Sequence, residues 1–218
     1  WKRKLSMINW TKAKLGDHIS VLTDYHANGS YEKLKENVEL LDKPDYAVTI
    51  RTTNFENSDF TDNLKYISQH AYEFLHKSKV YPYDILMNKI ANACSVYLMP
   101  DLKRPTSLAM NLFLIRTKPE TTDQRFIYYY LKANENYIKN FANGTASPTI
   151  TKESVRNLEI KLPPLEIQFK IANIITTYND LIETNTRRIC ISEQMAQKIY
   201  QELFGKMDKV SLPERWKY

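Results

Sequence analysis

The strongest constraint on this chain is a pair of consecutive prolines, Pro163-Pro164, followed by an unbroken run from Leu165 to Phe204 that contains neither glycine nor proline. Two successive prolines cannot lie inside a helix, because each lacks an amide donor and its ring clashes with the preceding turn, but the second is tolerated where a helix begins. The pair therefore reads as a stiff hinge into a helix that stops at Gly205. Within that run Ile175, Ile182, Ile189, Ala196 and Leu203 recur at every seventh position, interleaved with Ile171, Tyr178, Asn185, Ser192 and Ile199. This two-position apolar seam is the pattern of a coiled coil. Such a helix is ~60 Å long, whereas a domain of ~160 residues has a radius of gyration near 15 Å. The helix is expected to reach past the domain, and its stripe to need a second helix from another copy or another protein. Asn185 and Ser192 weaken the seam but can set its register. A break near Asn179-Asp180 or Thr184-Asn185 would instead let the helix fold back on its own domain.

The residues before the hinge have another character. Only 4 glycines occur in the 218 residues, against 15 tyrosines, and 43% of the chain is hydrophobic with 26% charged, a globular composition with few loose turns. Strands are predicted over Ile19 to Thr23, Tyr46 to Arg51, Asp84 to Ile90, Ser95 to Met99, Asn111 to Arg116 and Leu158 to Leu162, where β-branched and apolar residues lie between turn formers. Ser30 is placed to cap a helix over Tyr31 to Leu41, and Ser68 one over Gln69 to His76. Thr122 is placed to cap one over Asp123 to Ala142, and Thr151 a short last turn. The elements do not alternate regularly. The expected fold is thus a mixed, irregular α/β domain of α+β type over residues 1–162, a coiled-coil-type helix over 163–205 and a tail over 206–218.

Several chemistries lack their residues. His18, His26, His70 and His76 show no helical metal-binding spacing, and Cys94 and Cys190 fall in different predicted elements, so no metal site and no disulfide is expected. The four glycines are too scattered for a phosphate-cradling loop, and Leu162-Pro163-Pro164-Leu165 lacks the polar residue and aromatic that hold an extruded adenine. No cofactor is expected on this chain. No stretch approaches the ~18 apolar residues of a membrane span, and Trp1 to Ser6 lack a signal peptide's apolar run, so a cytoplasmic protein is expected.

The charge balance points to an anionic partner. Lysines and arginines number 31 against 25 acids, a net charge of +6, and the excess is sharpest between His76 and Asn140. Duplex DNA recognition needs cations for phosphates, Arg, Asn and Gln for base edges, and small or aromatic residues where backbones approach. The candidates are Ser30 and Tyr31 beside Gly29, Arg51, Thr52 and Asn54 leaving a strand, Lys89, Lys103 and Arg104, and Thr145 after Gly144. Tyr128-Tyr129-Tyr130 spreads around a helix and reads as packing.

In this order the segments resemble the specificity subunit of type I restriction-modification systems. Gly29-Ser30-Tyr31, Arg51-Thr52-Thr53-Asn54-Phe55 and Tyr83 to Ile90 look like its target-recognition domain. Gly144-Thr145, Ile150-Thr151, Leu162-Pro163-Pro164-Leu165, Gln168, Ile171-Ala172 and the long helix resemble the end of that domain and its spacer helix. Cys94 stands where relatives often have glycine, which makes the turn there a point to examine. The resemblance implies a non-catalytic subunit that binds double-stranded DNA and directs a partner adenine methyltransferase, which carries S-adenosylmethionine, and a restriction subunit to an interrupted site. It covers one recognition domain and one spacer helix where a typical member has two of each. Leu212-Pro213-Glu214-Arg215-Trp216-Lys217 resembles the lead-in to a second domain. A homodimer is expected through Ile171, Ile175, Tyr178, Ile182, Asn185, Ile189, Ile199 and Leu203. Two other readings stand beside it: a coiled-coil assembly scaffold, and a metal-dependent DNA endonuclease built on Pro44-Asp45 or Pro100-Asp101 with Glu159 and Lys161.

Overall fold

A computed structural model describes residues 9–144 and 147–205; Thr145 and the tail from Lys206 onward lie outside the described residues. The strands are β1 (Thr11–Lys14), β2 (Ile19–Asp24), β3 (Ala47–Ile50), β4 (Lys65–Ile67), β5 (Lys79–Val80), β6 (Ile85–Asn88), β7 (Val96–Leu98), β8 (Thr106–Leu108), β9 (Leu112–Thr117) and β10 (Glu159–Leu162). The helices are α1 (Tyr31–Asn37), α2 (Thr52–Glu56), α3 (Gln69–Phe74), α4 (Gln124–Ala133), α5 (Glu135–Lys139), α6 (Lys152–Arg156) and α7 (Leu165–Phe204). One antiparallel sheet has the order β2-β9-β6-β7 and a second the order β4-β3-β8-β5, in which β3 and β8 run parallel. A separate two-stranded sheet pairs β1 with β10. This is the mixed α/β domain and long terminal helix expected from the sequence.

Strand alternation builds the layers. On β6 and β9 the side chains of Ile85, Met87, Phe113 and Ile115 enter one core with Phe126, Ile127 and Leu131 of α4, while Leu86, Leu112 and Leu114 enter another with Ile50, Val80 and Leu108 of the second sheet. Both faces of these strands are buried, which is why they read as continuous apolar runs. A third cluster places Leu34 of α1 and Ala71 of α3 against Ala47 and Ile67.

The helix starts follow the capping signals, since Ser30, Ser68 and Thr151 accept from the amides of Lys33, Ala71 and Ser154. The segment after Thr122 departs from expectation. Its cap is Asp123, which accepts from Phe126 N at 2.8 Å, and the single helix expected there is two helices separated at Asn134. The Asn134 amide turns back on the Tyr130 carbonyl at 2.7 Å, a local bond that competes with helix continuation. The new direction brings Glu135 to the β7 edge, where it accepts from Val96 N at 2.8 Å. The turn at Cys94 is also resolved: this residue has φ 71°, the left-handed conformation that glycine adopts without cost.

The chain divides into two compact units between Ala172 and Asn173, inside α7 and not at the prolines. The first turns of α7 belong to the first unit. Gln168 is 1% exposed, accepts from Asp123 N at 3.1 Å and donates to the carbonyls of Pro163 at 2.9 Å and Thr121 at 3.3 Å. Ala172 is buried, and Ile171 packs on the same core, which corrects its assignment to the helix seam. The second unit is helical without interruption through Asn179-Asp180 and Thr184-Asn185 to Phe204. No helix among the described residues is long and apolar enough to cross a membrane.

Candidate nucleic-acid interface

Five segments of the first unit are tied together by direct bonds. Asp24 at the end of β2 and Met87 near the end of β6 both pair with Phe113 at the start of β9. Lys89 N donates to Asn111 O at 2.8 Å, and Ile150 N donates to Lys89 O at 3.0 Å. Ile90 bridges Thr149, which in turn bridges Asn143. The second sheet joins through Ala109 N, which donates to Ile50 O at 3.0 Å and so brings the Arg51 end of β3 beside Met110-Asn111. One contiguous loop surface thus holds the ends of β2, β3 and β6, the start of β9 and residues 143–144 and 147–152.

An ionic triad underlies it. Asp24 pairs with Lys89 at 3.0 Å and with Lys152 at 2.7 Å, and the side chains of Asp24 and Lys89 are only 12% and 11% exposed. Burial by itself raises the Asp24 pKa, but the hydrogen bonds and charges of Lys152 and Lys89 outweigh it and hold the carboxyl below its usual range. Both ammonium groups also lie over the Phe113 ring, at 5.4 and 6.0 Å.

Two predicted contact residues are therefore structural. Lys89 is buried on Asp24 and braces the loops from inside, which does not leave its ammonium free for a phosphate. Asn54 is 2% exposed; its oxygen accepts from Arg51 N at 2.9 Å and its amide donates to Asp59 O at 3.1 Å. The expected run of free donors at Arg51 to Asn54 is the first turn of α2, and Asn54 is its staple. Arg51 is half-buried and donates to Asn63 O at 2.6 Å, and Thr52 opens α2. Ser30 caps α1, and Tyr31 beside it is 70% exposed.

Lys103 and Arg104 are exposed but sit at the other end of the parallel pair, since Val48 N, near the start of β3, donates to Pro105 O. Lys103 pairs with Asp101, and the Arg104 guanidinium lies 5.2 Å from the Tyr66 ring centre. Asn92, Asn111 and Asn143 were not among the residues expected from the sequence. All three are exposed on the loop surface, and their side-chain amides have no partner among the described residues. A signal existed: Asn111 opens a predicted strand and Asn143 follows a predicted helix, positions where an amide is free to face outward.

The acids proposed for an endonuclease are spread apart. Asp101 pairs with Lys103 ahead of β8, and Glu159 lies opposite Lys14 on the two-stranded sheet. Among the described residues no group of three or more His, Cys, Asp or Glu is placed to hold a metal.

On the second unit the seam side chains face outward. Tyr178 is 64% exposed, Ile182 62%, Ile189 60%, Ile199 52% and Leu203 60%, with Asn185 and Ser192 also exposed and Ile175 half-buried. Ile174, Leu181 and Met195 widen the stripe on one flank.

A mixed α/β domain with a polar loop surface thus continues into a long helix whose apolar seam is exposed. The model of the type I restriction modification DNA specificity domain matches residues 7–191, and the chain belongs to that family, whose members are the non-catalytic recognition components of their systems. The HindI specificity subunit of Haemophilus influenzae is 28% identical over 216 residues, covering 94% of this chain and 42% of its own length. The MjaVIII specificity subunit of Methanocaldococcus jannaschii is 30% identical over 99 residues, covering 45% of this chain and 23% of its own. Among solved structures, the type I S subunit from M. genitalium has a TM-score of 0.64 at 18% identity and covers 92% of this chain and 47% of that one. The chain spans less than half the length of these relatives.

Proposed function

We propose that this chain is a sequence-specific DNA-recognition subunit that directs a partner adenine methyltransferase, and a restriction subunit, to an interrupted site in cytoplasmic DNA. The family match carries this reading, because it runs through both the domain and most of the helix. The loop surface supplies the base-reading groups: the amides of Asn92, Asn111 and Asn143 suit the paired donor and acceptor on an adenine edge. Tyr31 and Lys152 serve the backbone, where charge acts without regard to sequence, and Lys103 and Arg104, at the other end of the β3–β8 pair, reach phosphates farther along the duplex. S-adenosylmethionine belongs to the modification subunit, and this chain contributes no group to methyl transfer.

The helix is a homodimerisation surface. Its seam isoleucines are too exposed to be satisfied by their own chain, and a second copy offers the same apolar spacing. Two identical domains joined in this way read the same half-site twice, so the target is an interrupted palindrome. The test is reconstitution. Purified chain with S-adenosylmethionine and DNA should be inert, and addition of the modification subunit should produce adenine methylation at an interrupted palindrome. Methyl transfer by the chain alone, or methylation at an uninterrupted or asymmetric site, contradicts this reading.

A further inference from the structure

The two-stranded sheet contains a pairing that its own fold does not explain. In the β1–β10 register Lys12 stands directly opposite Lys161, both exposed, and neither ammonium meets a carboxylate among the described residues. Like charges directly opposite in an antiparallel pair destabilise it, and on the same face Lys14 is matched by Glu159. The two lysines border an open cleft of about 420 Å³ that is also lined by Tyr130, Asn134, Tyr137 and Glu159. The Tyr130 hydroxyl accepts from Lys161 N at 3.1 Å, which leaves its own proton to donate into the cleft. Tyr137 is 41% exposed beside it.

We propose that this cleft docks an acidic segment of the modification subunit and seats a carboxylate between Lys12 and Lys161; this rests on the reading above that the chain assembles with such a subunit. An anion there turns the repulsive lysine pair into a favourable three-charge contact and takes a hydrogen bond from Tyr130. A DNA phosphate is also an anion, but Glu159 on the same wall repels a phosphate backbone, whereas a protein segment can place a basic residue against it. Tyrosine is enriched at protein interfaces, whose rims are polar, and here the half-buried Tyr130 and exposed Tyr137 stand beside a few charges, whereas binding to DNA wants a stripe of cations.

The test compares Lys12→Glu/Lys161→Glu with Lys12→Arg/Lys161→Arg in the full chain, measuring affinity for the purified modification subunit at low and high salt and, separately, for a duplex. Charge reversal should weaken binding to the modification subunit roughly tenfold or more at 0.1 M salt and much less at high salt, the arginine variant should bind as wild type, and duplex affinity should hold. Equal binding of wild type and reversed chain to the modification subunit overturns the inference and leaves the assembly reading intact. Loss confined to the duplex overturns it in favour of a DNA contact. Failure of the wild-type chain to bind the modification subunit at all defeats both.

Discussion

The same residue type meets opposite fates in the two units. Ile50, Ile67, Ile85, Ile115 and Ile127 of the first unit are 0% exposed, whereas Ile182 and Ile189 of the second are 62% and 60% exposed. Composition does not separate them; period does. In the first unit apolar residues alternate along strands and close on one another from several layers. In the second they recur every seventh residue on a helix with no other element of its unit beside it among the described residues, a pattern that suits burial by another helix. A folded chain can thus leave a row of large isoleucines in water when the row is an interface. On the proposed reading, the first unit is stabilised from within and the second by association.

The sharpest way to break that contrast is Ile182→Asp. A carboxylate in the seam costs several kcal/mol of association, which should convert dimer to monomer in sedimentation while the thermal unfolding of the domain stays unchanged. A wild-type chain that is already monomeric at tens of micromolar removes the homodimer.

The complementary change is Asp24→Asn in the first unit. It leaves Lys89 buried without its counter-charge and should lower domain stability by on the order of 3 kcal/mol without altering self-association. The Asp24 pKa is depressed in the folded state, so its stabilisation is present at neutral pH and declines as the pH falls through the folded pKa. The gap between wild type and variant in denaturant melts should therefore narrow on acidification, and a constant gap would show that charge is not the cause.

Smaller effects sort the DNA contacts. Asn111→Ala should cost about 1–3 kcal/mol on the cognate duplex and nothing on random sequence. Lys103→Gln should weaken all duplexes alike and flatten the slope of log affinity against log salt by about one. Equal losses for Asn111→Ala on both duplexes would reassign it to the backbone or to the fold.

Much of the architecture was legible in the sequence because it is written in short-range terms. The proline pair, the seven-residue period and the capping serines need only neighbours to act, and all are found where expected. β1, β4, β5 and β8 were not foreseen, because they are short strands defined by distant partners; β8, for instance, pairs in parallel with β3. The site was less legible for the same reason. Lys89 and Asp24 are 65 residues apart in sequence, and nothing local says that this lysine turns inward. Asn54 has the chemistry of a base reader, and its hydrogen bonds to Arg51 and Asp59 exist only once α2 has formed. Gln168 was visible as part of a motif, but its role in securing the first turns of α7 to Asp123 depends on a contact across the fold.

The division between a reading domain and a spacing helix is tested most directly by inserting one heptad between Ile182 and Ile189 and mapping the methylated sequence formed with the modification subunit. The insertion preserves the seam and adds roughly 10 Å of helix per copy, about three base pairs of reach. The same half-sites should appear, separated by a wider gap. Altered half-site bases with an unchanged gap would contradict that division.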